Sequence, residues 1–310
     1  MTINRPEGPE SHNHEEEARI TFGGDEFIFV EVHDEMSLRA NFKVTSFARE
    51  LHDRRVDGIV DICPANASLL VRIDPLVVHP FKVVDILRDI ESSLASEVEK
   101  TIKTRIIEIP VWYDDPFTSE VEAKFREGYH QEPSGSDLDY AAKINGLADK
   151  AAFIETHHSS PWLVSMVGFV AGLPFMFQLV ERERQLEVPK YLSPRTDTPK
   201  LTVGHGGCFA CIYSVRGAGG YQMFGVAAAP IYDPSQTLPD FQDFLILFRP
   251  GDIVKFRPIE EAEYQDIQQR IADNTFRYKI ADVEFDIEEA LANPDAHNQK
   301  LLEALDENFG

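Results

Sequence analysis

The sequence predicts an α+β protein with two folded domains of different architecture. Residues 20–113 follow the order strand, helix, strand, strand, helix, strand, and split βαβ units of this order form a ferredoxin-like sandwich. Residues 137–260 instead carry short β-rich runs separated by glycine and proline, which predict a closed or nearly closed β-barrel. A chain of 310 residues with 43% hydrophobic residues is long enough to bury two such cores.

The N-terminal domain is predicted from two helices and the strands around them. Apolar residues recur at steps of three and four in 39–55 and in 80–94, which indicates amphipathic helices, and Pro80 suits the first turn of the second. Strands are predicted at the β-rich runs 26–32, 58–62, 68–73 and 105–112. The barrel domain opens on two short helices within 137–157, with Asp137 as a candidate N-cap.

Three further segments flank or join these domains. Residues 1–19 are acidic and contain proline, which is typical of a disordered leader. Residues 114–136 are polar and rich in glycine and proline, so we expect a loop or linker insertion. Residues 261–310 predict an acidic helical tail, which is either solvated or bound to a partner.

The charge of the chain excludes one broad class of function. Its formal net charge is -23, from 30 Lys and Arg against 53 Asp and Glu. Such a field repels phosphate backbones and argues against general nucleic-acid binding, although a small local anion site stays possible. No apolar run is long enough to span a bilayer, and the polar N-terminus does not resemble a signal peptide. We therefore expect a cytoplasmic protein without a membrane interaction.

Four polar side chains are candidates for chemistry. His157 and His158 end a predicted helix, where the helix dipole favours a protonated histidine; one of them could also serve as a general acid or base. Arg195 and Lys200 each follow a proline in a stiff turn, and isolated cations of this kind can bind a carboxylate or a phosphate. A surface ion pair explains the two cations equally well.

Glycine-rich segments provide the remaining candidates. The segments 204–207 and 217–220 are predicted turns whose backbone amides can form an anion-binding nest, and Gly219 and Gly220 belong to the second. Phe169 lies in a run of glycines and large apolar residues, which could line a small-molecule pocket or form a corner of the barrel. Neither glycine-rich turn matches a nucleotide-binding motif.

No metal site is predicted. Cys208 and Cys211 have the spacing of a metal or redox motif, but the run around them predicts a buried strand. Residues three apart on a strand point to opposite faces, so the two sulfurs could not bind one ion. Three cysteines in total also give no disulfide framework.

The order of several motifs is more specific than any one of them. An apolar strand follows Gly24-Asp25, the segment Ser68–Pro75 ends in Asp-Pro, and Ile-Pro-Val-Trp-Tyr occupies 109–113. Pro-Gly-Asp-Ile-Val-Lys-Phe occupies 250–256. In these segments, over about residues 20–260, the chain resembles the carboxyltransferase-domain family, subdomains C and D. That family includes a subunit of 5-oxoprolinase, allophanate hydrolase subunit 1 and the sporulation histidine-kinase inhibitor KipI.

The resemblance implies a fold, partners and an activity. It implies a ferredoxin-like domain followed by a cyclophilin-like β-barrel. It implies a subunit of an ATP-dependent amide hydrolase or carboxylase, with ATP and Mg used by the assembled complex. The partner would be a second carboxyltransferase-like subunit or large oxoprolinase- or hydantoinase-like subunits, and the ligand a small carboxylate, amide or ketone. It places His157 or His158, Arg195 and the Gly219-Gly220 turn around the barrel cleft.

Departures from the family pattern leave two alternatives open. Ala171, Lys200, Ala218 and Tyr221 stand where the family has Pro, Arg, Pro and Trp. Because these positions belong to the expected cleft, we expect a substrate different from that of the typical 5-oxoprolinase members. One alternative is the small subunit of an acetophenone-carboxylase-type ATP-dependent carboxylase. The other is a non-catalytic binding module that resembles the histidine-kinase inhibitors.

Overall fold

The computed structural model describes residues 17–96 and 101–307, in two compact units that divide the chain between residues 100 and 101. The predicted leader falls outside the described residues up to residue 16. Its last residue, Arg19, already belongs to the first strand.

The first unit contains one antiparallel sheet and two helices. Its strands and helices are β1 (Arg19–Gly23), β2 (Phe27–Glu31), α1 (Leu38–Asp53), β3 (Ile59–Pro64), β4 (Ser68–Ile73) and α2 (Pro80–Ser96). The sheet has the order β1-β2-β4-β3. Apolar residues alternate along the central strands, so Val30 on β2 and Leu69, Val71 and Ile73 on β4 are buried together, with Phe47 of α1 in the same core.

A ferredoxin-like N-terminal domain is not confirmed. The predicted strand 105–112 exists, but it lies in the second unit as part of a longer strand and pairs with strands from the other end of the chain. Its sequence explains the difference. Ile106 and Ile107 are adjacent and both fully buried, as are Ile109 and Val111 nearby. A strand with such a run is covered on both faces, as in a barrel with helices outside it.

The second unit contains the barrel and the helices around it. Its strands are β5 (Thr101–Tyr113), β6 (Trp162–Val167), β7 (Pro174–Gln178), β8 (Arg195–Thr198), β9 (Thr202–Gly206), β10 (Phe209–Ile212), β11 (Gly217–Gly219), β12 (Gln222–Ala227), β13 (Ile253–Pro258) and β14 (Ile280–Asp286). Its helices are α3 (Pro116–Phe125), α4 (Asp137–Ile144), α5 (Lys150–Ser159), α6 (Glu261–Ala272), α7 (Ile287–Ala292) and α8 (Pro294–Glu307).

Seven strands close into the predicted barrel. They follow the order β12-β9-β10-β7-β6-β13-β5, and β5 pairs back to β12 through Val111, Trp112 and Tyr113. The N-terminal half of β5 pairs with β14 instead, which extends the sheet beyond the barrel. Strands β8 and β11 form a separate two-stranded ribbon. Part of the barrel interior is aromatic, with Trp162, Phe224 and Phe256 almost fully buried.

Two predicted segments are better ordered than expected. The predicted linker 114–136 contains α3, because Asp115 caps the N–H groups of Phe117 and Thr118 and Pro116 occupies the first turn. The predicted helical tail contains strand β14 as well as helices. Its buried residue Phe285 lies on the strand that pairs with β5, so the tail belongs to the folded unit.

Within the described ranges, no helix is both long and apolar enough to cross a bilayer.

Candidate functional site

Arg195 is the first residue of β8, and its side chain is completely buried. The guanidinium carbon lies 4.4 Å from the centre of the Tyr191 ring, which is a cation–π contact. Nε and Nη2 both donate to the hydroxyl of Thr198, over long distances of 3.4 and 3.3 Å. Nη1 has no hydrogen-bond partner among the described residues. A buried cation with a free donor is costly unless an anion completes it.

Gly219 lies opposite Arg195 in the β8–β11 ribbon. A methyl group at this position would come within 2.5 Å of the Tyr213 hydroxyl and 2.7 Å of the Thr198 hydroxyl. Glycine therefore leaves the space that these two hydroxyl groups occupy beside residue 219. The next residue, Gly220, is under no such constraint, since its nearest neighbour would be Pro194 at 3.8 Å.

Asp137 is the second buried ionisable side chain of this region, and burial raises the pKa of its carboxyl group. Its carboxylate accepts hydrogen bonds from the Tyr191 hydroxyl at 2.8 Å and from the Met223 backbone N–H at 2.8 Å. It also accepts a hydrogen bond from Nη1 of Arg126. Tyr191 thus joins two groups, because its ring faces Arg195 and its hydroxyl binds Asp137. The predicted N-cap role of Asp137 is wrong: Ser136 caps α4, and this frees the Asp137 side chain for the buried network.

Glu122 reaches the same network from α3. Its Oε1 accepts the backbone N–H of Asp137 at 2.8 Å and lies 3.4 Å from Nη1 of Arg126. Burial, reinforced by the negative charge of Asp137, raises the pKa of Glu122 to about 8. At neutral pH this carboxyl group is therefore mostly protonated and uncharged. The segment expected to be a linker provides both Glu122 and Arg126.

His130 packs against the network. Its Nδ1 lies 2.8 Å from both the backbone nitrogen and the carbonyl oxygen of Glu132. Its Nε2 lies 2.9 Å from Oε1 of Gln222 and 3.6 Å from Oδ1 of Asp137. Gln222 in turn donates to the Pro189 carbonyl. No sequence pattern indicated His130, which lies at the edge of the network.

His157 lies inside the barrel and is completely buried. The Tyr113 hydroxyl is 2.9 Å from its Nδ1, and its ring packs near Trp162 and Phe256. Burial lowers the pKa of His157 well below its usual value. The expectation of a protonated histidine at the helix end is wrong here, because the loss of solvation outweighs the helix dipole.

His158 faces a different environment. Its side chain is 17% exposed and Nε2 lies 3.2 Å from the Glu155 carboxylate. Burial lowers the pKa of His158, and Glu155 opposes that effect. Of the two adjacent histidines, His158 is the one whose ring reaches the surface.

His205 is a second histidine in the barrel interior, in a segment that the glycine pattern predicts to be a turn. Residues 204–206 instead belong to strand β9, and His205 lies among them. Nε2 of His205 donates to two carbonyl oxygens at 3.1 Å, those of Leu186 and Gly207. Burial lowers the pKa of His205 to about 4, so the side chain is neutral.

The structure brings together only part of the predicted site. Arg195 and Gly219 are direct neighbours, but no hydrogen bond, ion pair or ring contact joins His157 to Arg195 in the described parts of the chain. Lys200 is exposed next to the ribbon. Phe169 is 69% exposed at the turn between β6 and β7, with a positive φ of 69°, so it does not wall a closed pocket.

The two cysteines of the Cys-x-x-Cys segment differ in their surroundings. Cys211 is buried in β10, where burial raises the pKa of its thiol, and Cys208 precedes that strand. Across residues 17–96 and 101–307 no cluster of His, Cys, Asp or Glu side chains could hold a metal ion.

Residues 18–241 match the carboxyltransferase domain, subdomain C and D. The chain belongs to this family. A relative is a 5-oxoprolinase subunit of Bacillus subtilis, 30% identical over 251 residues, which covers 78% of this chain and 92% of the relative. Another is the urea amidolyase of Lachancea kluyveri, 27% identical over 275 residues, which covers 86% of this chain but only 15% of that much longer protein.

Two solved structures share the fold of this chain. The crystal structure of the K. lactis urea amidolyase matches with a TM-score of 0.79 and 24% identity, over 96% of this chain and 18% of that one. The K. lactis urea carboxylase matches with a TM-score of 0.80 and 23% identity. The family therefore occurs both as a separate subunit and as one part of a longer chain.

Proposed function

We propose that the chain is a subunit of an ATP-dependent amide hydrolase or carboxylase and is active only with partner subunits. The relative that it matches over almost its whole length is called a subunit of 5-oxoprolinase. The urea amidolyase relative carries the matching region within a chain several times longer. By analogy with the relative that is named as a subunit, other polypeptides would supply the rest of the enzyme.

The observation that carries the proposed role of the barrel unit is the buried guanidinium of Arg195. Its Nη1 has no hydrogen-bond partner in the described part of the chain, and Gly219 leaves room for the Thr198 and Tyr213 hydroxyl groups beside it. A charged fork held in a buried site is suited to bind a carboxylate or a carboxyphosphate-like anion. We assign Arg195 as the anion clamp. Gly219 leaves the space that the hydroxyl groups next to it occupy.

The other candidate residues take supporting parts in this proposal. His158 is the better placed proton carrier because part of its ring is exposed, whereas a substrate would have to enter the barrel to reach His157. Lys200, Gly220 and Phe169 would contact the outer parts of a ligand or a partner. ATP and Mg would be bound by the assembled complex, in the cytoplasm. The barrel would be of the cyclophilin-like type.

A purification of the tagged chain from its native host tests this proposal. Co-purifying subunits are identified, and ATP hydrolysis is measured with 5-oxoproline, urea and a series of amides and ketones. Large partner subunits together with substrate-dependent ATP turnover would support the proposal and identify the substrate class. A chain that purifies alone, or with a kinase and without substrate-dependent turnover, would contradict it.

A further inference from the structure

Two ring nitrogens inside the barrel have no hydrogen-bond partner among the described residues. They are Nε2 of His157 and Nδ1 of His205. Both side chains are completely buried, and the centres of their rings lie 6.2 Å apart. The rings are therefore neighbours, but the two nitrogens do not bond to each other. Buried polar atoms destabilise a fold unless each has a partner, so something else must satisfy both.

The unpartnered nitrogen of His205 is an acceptor. Nε2 of this ring lies 3.1 Å from the carbonyl oxygens of Leu186 and Gly207, which can only accept a hydrogen bond. Nε2 therefore carries a proton. Burial lowers the pKa of His205 to about 4, so the ring is neutral and has no second proton. Nδ1 is thus a lone pair that requires a donor.

The unpartnered nitrogen of His157 has the opposite role. The Tyr113 hydroxyl lies 2.9 Å from Nδ1 of His157, which is the hydrogen-bond partner that the structure gives this buried phenol. If Nδ1 carried the ring proton, the phenol hydrogen would have no acceptor among the described residues. The phenol therefore donates to Nδ1, and the proton of the neutral ring lies on Nε2. This N–H requires an acceptor.

We propose that the barrel interior binds one small neutral molecule between the two rings, which accepts a hydrogen bond from Nε2 of His157 and donates one to Nδ1 of His205. A hydroxyl group does both through a single oxygen, and water is the smallest molecule that carries one. Water is the occupant that we expect in the chain alone. The inference goes beyond the proposed function and does not depend on Arg195.

Aromatic side chains surround this pair of histidines. The centre of the Trp162 ring lies 5.0 Å from that of His157 and 5.7 Å from that of His205, and Phe224 lies 5.7 and 6.1 Å from the same two rings. The indole N–H of Trp162 is already bonded to the His157 carbonyl oxygen at 2.9 Å. These walls supply no charge, so an ion would be buried without a counter-charge. A neutral molecule avoids that cost.

A metal ion is a poorer occupant for the same pair. A histidine binds a metal through a lone pair, whereas Nε2 of His157 carries a proton when Tyr113 donates to Nδ1. Zinc sites in proteins also use three or four protein ligands. Over the ranges that the structure describes, no three His, Cys, Asp or Glu side chains are grouped to hold a metal.

The bridge changes the expected role of His157. Both of its ring nitrogens are engaged, one by Tyr113 and the other by the bridging molecule. The ring therefore has no free nitrogen with which to carry a proton to a substrate. His157 is a residue that binds the internal molecule, and His158 stays the candidate proton carrier.

Solution NMR of the full chain tests the proposal, with deuteration and histidine labelled with ¹⁵N and ¹³C. Long-range ¹H–¹⁵N correlations should place the ring proton on Nε2 in both His157 and His205. The Nε2–H of His157 should show a nuclear Overhauser cross-peak to a long-lived water, distinguished from proton exchange by its sign in the rotating frame. A proton on Nδ1 of His157, or no cross-peak to water or to another bound molecule, would overturn the proposal.

A crystal structure that resolves ordered waters identifies the occupant. We expect one density peak within hydrogen-bonding distance, roughly 2.6–3.2 Å, of both unpartnered nitrogens. An isolated peak identifies water, and elongated density identifies a small alcohol or amide retained through purification; either result supports the site. A direct hydrogen bond between the two rings, or no density between them, would refute it.

Two variants show whether the two rings share the molecule. His205→Phe removes the acceptor and should abolish the water cross-peak of His157. His297→Gln is the matched control, because His297 is also buried but has its ring contact with Phe285. This control should retain the cross-peak. A retained cross-peak in His205→Phe would contradict the bridge, and the wild-type spectra and density test the proposal even if that variant fails to fold.

Discussion

The substitution Glu122→Gln should remove a pH-dependent loss of folding stability that the native protein shows at high pH. The carboxyl group of Glu122 is buried between Asp137 and Arg126, and its pKa is raised from 4.5 to about 8, mainly by burial. The unfolded chain releases this proton near pH 4.5, while the native protein holds it until about pH 8. Native stability must therefore fall as the pH rises through this window, and it is highest below pH 4.5 as far as this group is concerned.

The size of the effect follows from the pKa difference. Each pH unit within the window costs about 1.4 kcal/mol of unfolding free energy, because the native state binds one more proton than the unfolded state. Between pH 6 and pH 9 the titration of Glu122 should thus lower the free energy of unfolding of the wild type by about 2–3 kcal/mol. Since Glu122 and Asp137 titrate together, about 2 kcal/mol is the firmer expectation. A glutamine has no such proton, although its carbonyl oxygen can still accept the backbone N–H of Asp137.

Urea denaturation at pH 6, 7, 8 and 9 measures this loss. Other groups also titrate in this range, so the quantity of interest is the difference between the two proteins at each pH. We expect the free energy of unfolding of Glu122→Gln, relative to that of the wild type, to rise by about 2 kcal/mol from pH 6 to pH 9. Glu120→Gln provides a control on the exposed side of the same helix. A constant difference between wild type and Glu122→Gln across the four pH values would refute the assigned proton.

Three further substitutions test other contacts. Gly219→Ala should destabilise the chain by about 1–3 kcal/mol, because its methyl group would overlap two hydroxyl groups, whereas Gly217→Ala, with no heavy atom within 4 Å of the added carbon, should have little effect in the same urea titration. Tyr113→Phe should lower the free energy of unfolding by about 1–2 kcal/mol, since it leaves Nδ1 of His157 buried without a partner. An unchanged denaturation midpoint would argue against that hydrogen bond. As the pH falls from 6.5 towards 4, His205 should lower the free energy of unfolding of the wild type by up to about 1.4 kcal/mol per pH unit, because the unfolded chain binds a proton that the buried ring does not bind. His205→Gln should flatten this part of the stability profile.

Much of the fold could be predicted from local patterns. The closed barrel follows from short β-rich runs between glycines and prolines, and the helices of the first unit follow from apolar residues at helical spacing. The assignment of 105–112 to the first unit went wrong because strand pairing is not local. This strand pairs in parallel with β13, which lies more than 140 residues later at 253–258, and no periodicity records such a partner.

The candidate site was harder to predict. Arg195 and Gly219 attract attention because a cation after proline and a glycine-rich turn are visible in the sequence. The buried network beside Arg195 is not visible in the sequence, since Glu122, Asp137 and Tyr191 come from separate segments and each has an ordinary local explanation. Asp137 at the start of a helix looked like a cap, and only the structure shows that Ser136 performs that role.

The most direct test of Arg195 as the anion clamp is the kinetics of the assembled complex with Arg195→Gln in place of the wild-type chain. Substrate-dependent ATP turnover is compared among wild type, Arg195→Gln and the surface control Arg216→Gln, in complexes of verified composition. We predict that loss of the clamp raises KM for the anionic substrate about 30-fold or more, as expected for removal of one partner of a buried charge pair, while the control matches the wild type. An active Arg195→Gln complex with an unchanged KM would contradict the clamp role.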